Sequence, residues 1–264
     1  MATVQEPIQK DMESKSKIFI YDGSFNGFLT AVFIAFDYKL THVDIQPRGR
    51  IQKGLFTETE TIFTNIDKAK RVWTGIRNRN NTAIKNIYFA FLSEQQGIEP
   101  LLYSYIRKLM NCNENSTAGF SSDYILRINQ LAHKVGREKR HMETKLDFQR
   151  TRDAVYFVQI APDFDVLPLL SKHFRSRYTD KPWIIYDTKR NYGLYYNLSG
   201  VELIGLDLTD SIINQMISNL TISNVEMGNS CFENLNIKSH ISLKLHHSYA
   251  PKRNSNYILG KQAS

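Results

Sequence analysis

A change of hydrophobic period near residue 145 constrains this chain more than any other feature. From Asp67 to about Glu143 apolar residues recur mostly at helical spacing, in stretches over Lys68–Arg77, Ile84–Glu94, Glu99–Met110 and Asp123–Glu143. After Lys145 the runs shorten and are bounded by turn residues. Lys145–Thr151, Ala154–Ala161, Trp183–Tyr186, Gly193–Asn197 and Val201–Leu206 read as strands, and Val166–Arg177 as the one helix among them. Ahead of the helical stretch stand one strand, Lys17–Tyr21, the turn Asp22-Gly23-Ser24, and a helix from Phe25 to Lys39 with Ser24 placed to cap it. Residues 44–54 read as a basic loop, and Thr59–Asn65 as a short strand.

Helices gathered in one half and strands in the other give an α+β pattern rather than alternating βαβ units. The expected architecture is a mostly antiparallel sheet, made by the N-terminal strand and the strands after residue 145, packed against a helical layer over 67–143. The expected division is a flexible tail over 1–16, a single α+β domain over 17–206 and a helical, basic extension over 207–264.

Composition narrows the function classes. Apolar residues at 42% and charged residues at 23% over 264 positions suffice for a buried core and exclude a disordered chain. Two cysteines, Cys112 and Cys231, cannot build a disulfide framework, a four-cysteine zinc site or an iron–sulfur triplet. The longest apolar run, Phe28–Phe36, is far too short to span a bilayer, and residues 1–17 carry no hydrophobic region, so a soluble cytoplasmic protein without membrane contact is expected. A formal net charge of +8 favours polyanionic partners, nucleic acid first.

Standard site motifs are missing: no phosphate loop, dinucleotide fingerprint, HExxH, GxSxG or CxxC. His240, His246 and His247 lack supporting carboxylates, and adjacent histidines on a regular element point apart, so neither a metal nor a cofactor is expected. Three charged segments remain. In Arg137–Glu143, Arg137, Arg140 and His141 could meet one phosphate row, and Glu138 could hold the His141 imidazole at i,i+3 for acid–base work; a solvated helix end is the plainer reading. In Ser171–Tyr178, Lys172, Arg175 and Arg177 alternate with Phe174 and Tyr178, the mixture of cations and aromatic platforms that holds single-stranded nucleic acid, and His173 could shuttle a proton. In Tyr186–Arg190, Asp187 could orient Arg190, accept from a substrate, or close an Asx turn.

The run Tyr21-Asp-Gly-Ser-Phe-Asn-Gly-Phe-Leu-Thr-Ala-Val-Phe33 resembles the opening of a bacterial family of DNA metabolism or repair proteins, the domain-of-unknown-function family 4130. The resemblance continues in Lys68–Gly75, Phe91–Glu94, Val166–Leu170, His173–Tyr178, Pro182–Asp187, Arg190–Gly193 and the tail Lys244–His246 with Pro251–Arg253. Where the family reads Glu-Lys-His-Arg-Met, this chain has Glu138-Lys-Arg-His-Met142, and Asp147 stands where an arginine is usual, which argues against a catalytic His141. The resemblance implies a partner more than a reaction, since members are typically encoded beside a radical-SAM DNA-modification protein.

Three functions follow as expectations. The first is a DNA-binding accessory protein, working with a radical-SAM partner, that holds nucleic acid through Arg137, Arg140, Lys172, Arg175, Arg177, Tyr178, Lys189, Arg190, Lys252 and Arg253. The second is a stand-alone enzyme on nucleic acid that uses His173 or His141 with Asp187 or Glu138, and needs His173 and Asp187 in one pocket. The third is a protein-binding module whose basic surface docks an acidic partner.

Overall fold

The computed structural model describes residues 17–50, 58–111, 123–150 and 154–205. The expected tail over 1–16, the turn Arg152-Asp153, the extension over 207–264, both cysteines, and Lys252 and Arg253 lie outside the described residues.

The chain opens as expected. Strand β1 (Lys17–Tyr21) feeds helix α1 (Phe25–Asp37), and the Ser24 hydroxyl accepts the Gly27 amide to cap it. The next segment departs from the expected basic loop. Asp44–Pro47 is a strand, β2, running parallel to β1, and the arginines after it form a short 3-10 turn, Arg48–Arg50. Strand β3 (Glu58–Thr61) pairs parallel to the other side of β1, giving the order β2-β1-β3. Parallel partners need a long crossover, and α1 supplies one between β1 and β2. The N-terminal strand therefore does not join the later hairpins, as the sequence had suggested; it is the centre of its own sheet, with Ile18 through Tyr21 buried.

Four helices follow: α2 (Ile66–Arg79), α3 (Asn81–Phe91), α4 (Ile98–Asn111) and α5 (Asp123–Lys145). Asn65 caps α2, accepting the Lys68 amide, and Asp67 stands in its first turn. Phe25 of α1 seats edge-on against Trp73, Tyr88 and Phe91, with ring centroids 5.9, 5.0 and 5.0 Å away, which fixes α1 against α2 and α3.

The second sheet has five strands in the order β4-β5-β6-β7-β8: Gln149–Arg150, Tyr156–Ile160, Trp183–Asp187, Tyr192–Tyr196 and Val201–Ile204. Helix α6 (Leu167–Arg177) crosses between β5 and β6, which run parallel; the other pairings are antiparallel. The architecture is α+β with six helices, a parallel three-strand sheet and a mixed five-strand sheet, so the single, mostly antiparallel sheet is corrected. The reason is physical: α1 and α6 each act as a crossover, which a count of strands and helices by half-chain does not register. One contiguous apolar core runs from Phe19 to Leu203 and joins both sheets. Trp183 is fully buried within it, stacked on Tyr196 at 5.5 Å. No helix among the described residues is long and apolar enough to cross a membrane.

Candidate functional site

Two charged regions stand out, one open and one closed. The open one is a groove between α5 and α6. Lys139 and Glu143 from α5, with Leu169, Lys172, His173, Ser176 and Arg177 from α6, line a cavity of about 490 Å³. The helical repeat produces it: 139 and 143 share one face of α5, while 169, 172, 173 and 176 share one face of α6. Lys139 pairs with Glu143, and Glu143 also faces His173 Nδ1 at 3.7 Å. Three cations thus surround one carboxylate and one imidazole. Sequence reasoning named Lys172, His173 and Arg177 but missed Lys139, Glu143 and Leu169.

The aromatic half of that expectation is corrected. Phe174 is not a platform; it is buried against Trp183 and Phe148, because the apolar side of α6 must cover the second sheet. Tyr178 is half-buried, parallel to Phe174 at 6.3 Å and beneath the Arg177 guanidinium at 5.7 Å. Arg175 donates to the Ser199 carbonyl at 3.3 Å. Arg137, Arg140 and His141 are exposed along α5.

Glu138 is not the partner of His141. Its two carboxylate oxygens accept the Asp163 and Phe164 amides at 2.7 and 3.0 Å, which fastens the loop before α6 to α5.

The closed region centres on Arg190. Its Nε and Nη2 donate to Glu94 at 2.9 and 2.7 Å, and its Nη1 donates to Asp187 at 2.9 Å. The carbonyls of Pro162 and Asp163 take further bonds at 3.2 Å each. Burial works to lower the Arg190 pKa, but the hydrogen bond and charge of Glu94, with Asp165 and Asp187, outweigh it and raise it. Asp187 is fully buried; its Oδ1 accepts the Lys189 and Arg190 amides in an Asx turn, so it both closes the turn and orients the guanidinium. Arg190 is therefore held internally rather than offered to phosphate. Lys189 instead pairs with Asp163 at the surface, 2.9 Å away.

Beside this cluster Asp165 accepts a short hydrogen bond from the Tyr192 hydroxyl. Burial of its carboxyl pushes Asp165 up to about 7, opposed by the Tyr192 bond and reinforced by the negative charge of Glu94. The residue as a whole keeps some exposure, but the carboxyl itself is the desolvated part. Asp165 also lines a cavity of about 280 Å³ with Tyr21, Gly23, Pro47, Gly49, Glu94 and Glu99 among its walls. The Tyr21 hydroxyl donates to Glu99 at 3.1 Å, both residues being buried. Sequence reasoning missed Asp165, Glu99 and Tyr192 as site residues. The signal present was indirect: Tyr21–Gly27, Phe91–Glu94, Pro182–Asp187 and Arg190–Gly193, segments singled out in the sequence, supply residues to this region.

His173 and Asp187 are not brought together. The cavity that His173 lines does not include Asp187, whose carboxylate is already committed to Arg190 and to turn amides. No group of three metal-type ligands occurs among the described residues.

The family model described as "Domain of unknown function (DUF4130)" matches residues 96–259, more than half of the chain, and the chain belongs to that family. The opening segment Tyr21–Phe33 precedes the match. No curated protein matches the chain.

Proposed function

We propose that this member of the DUF4130 family is a nucleic-acid-binding accessory protein in DNA metabolism or repair, working beside a radical-SAM DNA-modification partner. The observation that carries the reading is the groove between α5 and α6, where Lys139, Lys172 and Arg177 converge on one open cavity beside His173. An open groove with three cations to one carboxylate suits a phosphate backbone, and the net charge of +8 adds long-range attraction. Arg137 and Arg140 are exposed on the same helix and add to its positive charge outside the groove. The partner is inferred from the family resemblance, which also supplies the link to DNA rather than RNA.

Binding on these terms is driven by charge and reads little sequence, since phosphate contacts position a duplex or strand without specifying bases. A fluorescence-anisotropy titration against single-stranded and duplex DNA tests the reading. The expected result is a complex of micromolar affinity or tighter at low salt. Absence of binding at low salt would overturn it, and would leave the basic surface to an acidic protein partner.

A further inference from the structure

The helical repeat sorts α5 into faces with different tasks. Ile125, Ile128, Leu131, Ala132 and Val135 are buried in the core, and Lys139 with Glu143 lines the groove toward α6. A third face looks outward. Arg127, Gln130, Lys134, Arg137 and His141 follow one another at i, i+3, i+7, i+10 and i+14, which places them on one stripe, with His133 and Arg140 along its flank. All seven are exposed, and the four formal cations among them span about 20 Å of helix axis.

Charge sets this stripe apart. No carboxylate stands on it between Arg127 and His141: Asp123 precedes it in the first turn, Glu138 is turned to the 162–165 loop, and Glu143 belongs to the groove. Elsewhere Lys17, Lys139, Lys189 and Arg190 each have a carboxylate partner. Arg127, Lys134, Arg137 and Arg140 have none among the described residues. Like charges gathered on one helix face repel one another, so the fold gains nothing from them, and a polyanion lying along the helix relieves that repulsion.

What the stripe lacks chooses the polyanion. Protein interfaces centre on buried aromatic and aliphatic anchors, and membrane-surface helices carry an apolar face. The stripe has neither, and exposed Leu126 stands only at its start. Single-stranded nucleic acid gains much of its affinity from bases stacked on aromatic rings. The ring beside the stripe, Phe89 of α3, is already covered: Lys85 Nζ lies over it at 5.4 Å, and its edge packs 3.5 Å from where a Cβ of Gly136 would stand. A duplex presents rigid rows of phosphates and asks only for cations held at fixed spacing. We propose that the outer face of α5 is a second nucleic-acid surface, which takes the phosphate backbone of a duplex through Arg127, Lys134, Arg137 and Arg140. Nucleic acid as the class of ligand rests on the reading above; the duplex form and the separate surface rest on this stripe.

The test is a fluorescence-anisotropy salt series on the full chain, with duplex DNA and with oligothymidylate of equal length, for the wild type and for the combined variant Arg127→Gln, Lys134→Gln, Arg137→Gln. All three side chains are exposed and glutamine keeps helix propensity, so the urea midpoint is expected to stay where it is. The triple variant is expected to bind duplex about tenfold or more weakly at about 0.15 M salt, with a log–log salt slope smaller by about 2.7, while its affinity for oligothymidylate changes less than about twofold. Equal losses for both DNA forms would overturn the duplex assignment. Duplex binding unchanged in affinity and slope would overturn the second surface, and if Lys172→Ala, Arg177→Ala still lost affinity, the groove reading would stand without it. Polyglutamate or phosphatidylserine vesicles bound by this face as tightly as duplex would overturn it too. Failure of the wild type to bind any DNA would overturn it together with the groove reading.

Discussion

The groove between α5 and α6 and the cluster around Arg190 use the same residue types in opposite settings. In the groove, Lys172 and Arg177 sit at the surface, where water and salt screen them and a pair is worth at most about 1 kcal/mol to stability. Around Arg190, the guanidinium is largely covered and Asp187 is fully buried, so each charge depends on its neighbour. The difference teaches what each set is for. Screened cations cost the fold little, and on the proposed function they face a polyanion. Desolvated charges are committed to position: they fix the loop over 162–165, the α3–α4 connection and the end of β6 against one another.

Removing Arg190 should have the largest effect. Arg190→Met leaves Asp187 buried without its cation and is expected to cost about 3–5 kcal/mol in urea unfolding. A loss below about 1 kcal/mol would mean that the cluster is no more demanding than the groove.

Next comes Asp165, whose carboxyl is raised from 3.8 to about 7 by burial, with Glu94 and Asp187 adding to the rise and Tyr192 and Arg190 opposing it. The native state then holds a proton that the unfolded chain has released. Stability from this group therefore falls as pH climbs from about 4 to about 7, and stays lost above that. Asp165→Asn should flatten that slope and add on the order of 2–3 kcal/mol at alkaline pH, with little gain in acid. Parallel stability–pH curves for the two proteins would refute the burial of this carboxyl.

A smaller effect is expected at Glu138. Glu138→Ala releases two amides of the 162–165 loop and should cost about 1–2 kcal/mol, with faster hydrogen exchange at Asp163 and Phe164. Smallest of all, Lys172→Glu and Arg177→Glu should move stability by no more than about 0.5 kcal/mol while weakening DNA binding. A large stability loss in either would erase the contrast between the two regions.

Local signals were legible in the sequence and long-range ones were not. The strand–turn–helix opening, the Ser24 cap, α6 and the strands β6 to β8 follow from periodicity and turn residues close in the chain. The parallel pairings escaped because nothing in β1 declares which strand it will meet. β2 was hidden by its brevity and by the Pro47-Arg48-Gly49-Arg50 run, which reads as loop although Ile45 is buried. The same limit governs the site. Lys172 and Arg177 announce themselves by composition, but Glu94 meets Arg190 across 96 residues, and Glu138 finds its amides 25 and 26 residues on. Asp187 was read with three open roles, and the structure assigns two of them, turn closure and orientation of Arg190.

The central claim is that the α5–α6 groove holds a nucleic-acid backbone, and the salt dependence of DNA affinity tests it most directly. In the wild-type chain log affinity should fall steeply and linearly with log salt, and in the Lys172→Ala, Arg177→Ala double variant the slope should shrink by about two. A slope unchanged by the double substitution would place the contacts elsewhere and contradict the account.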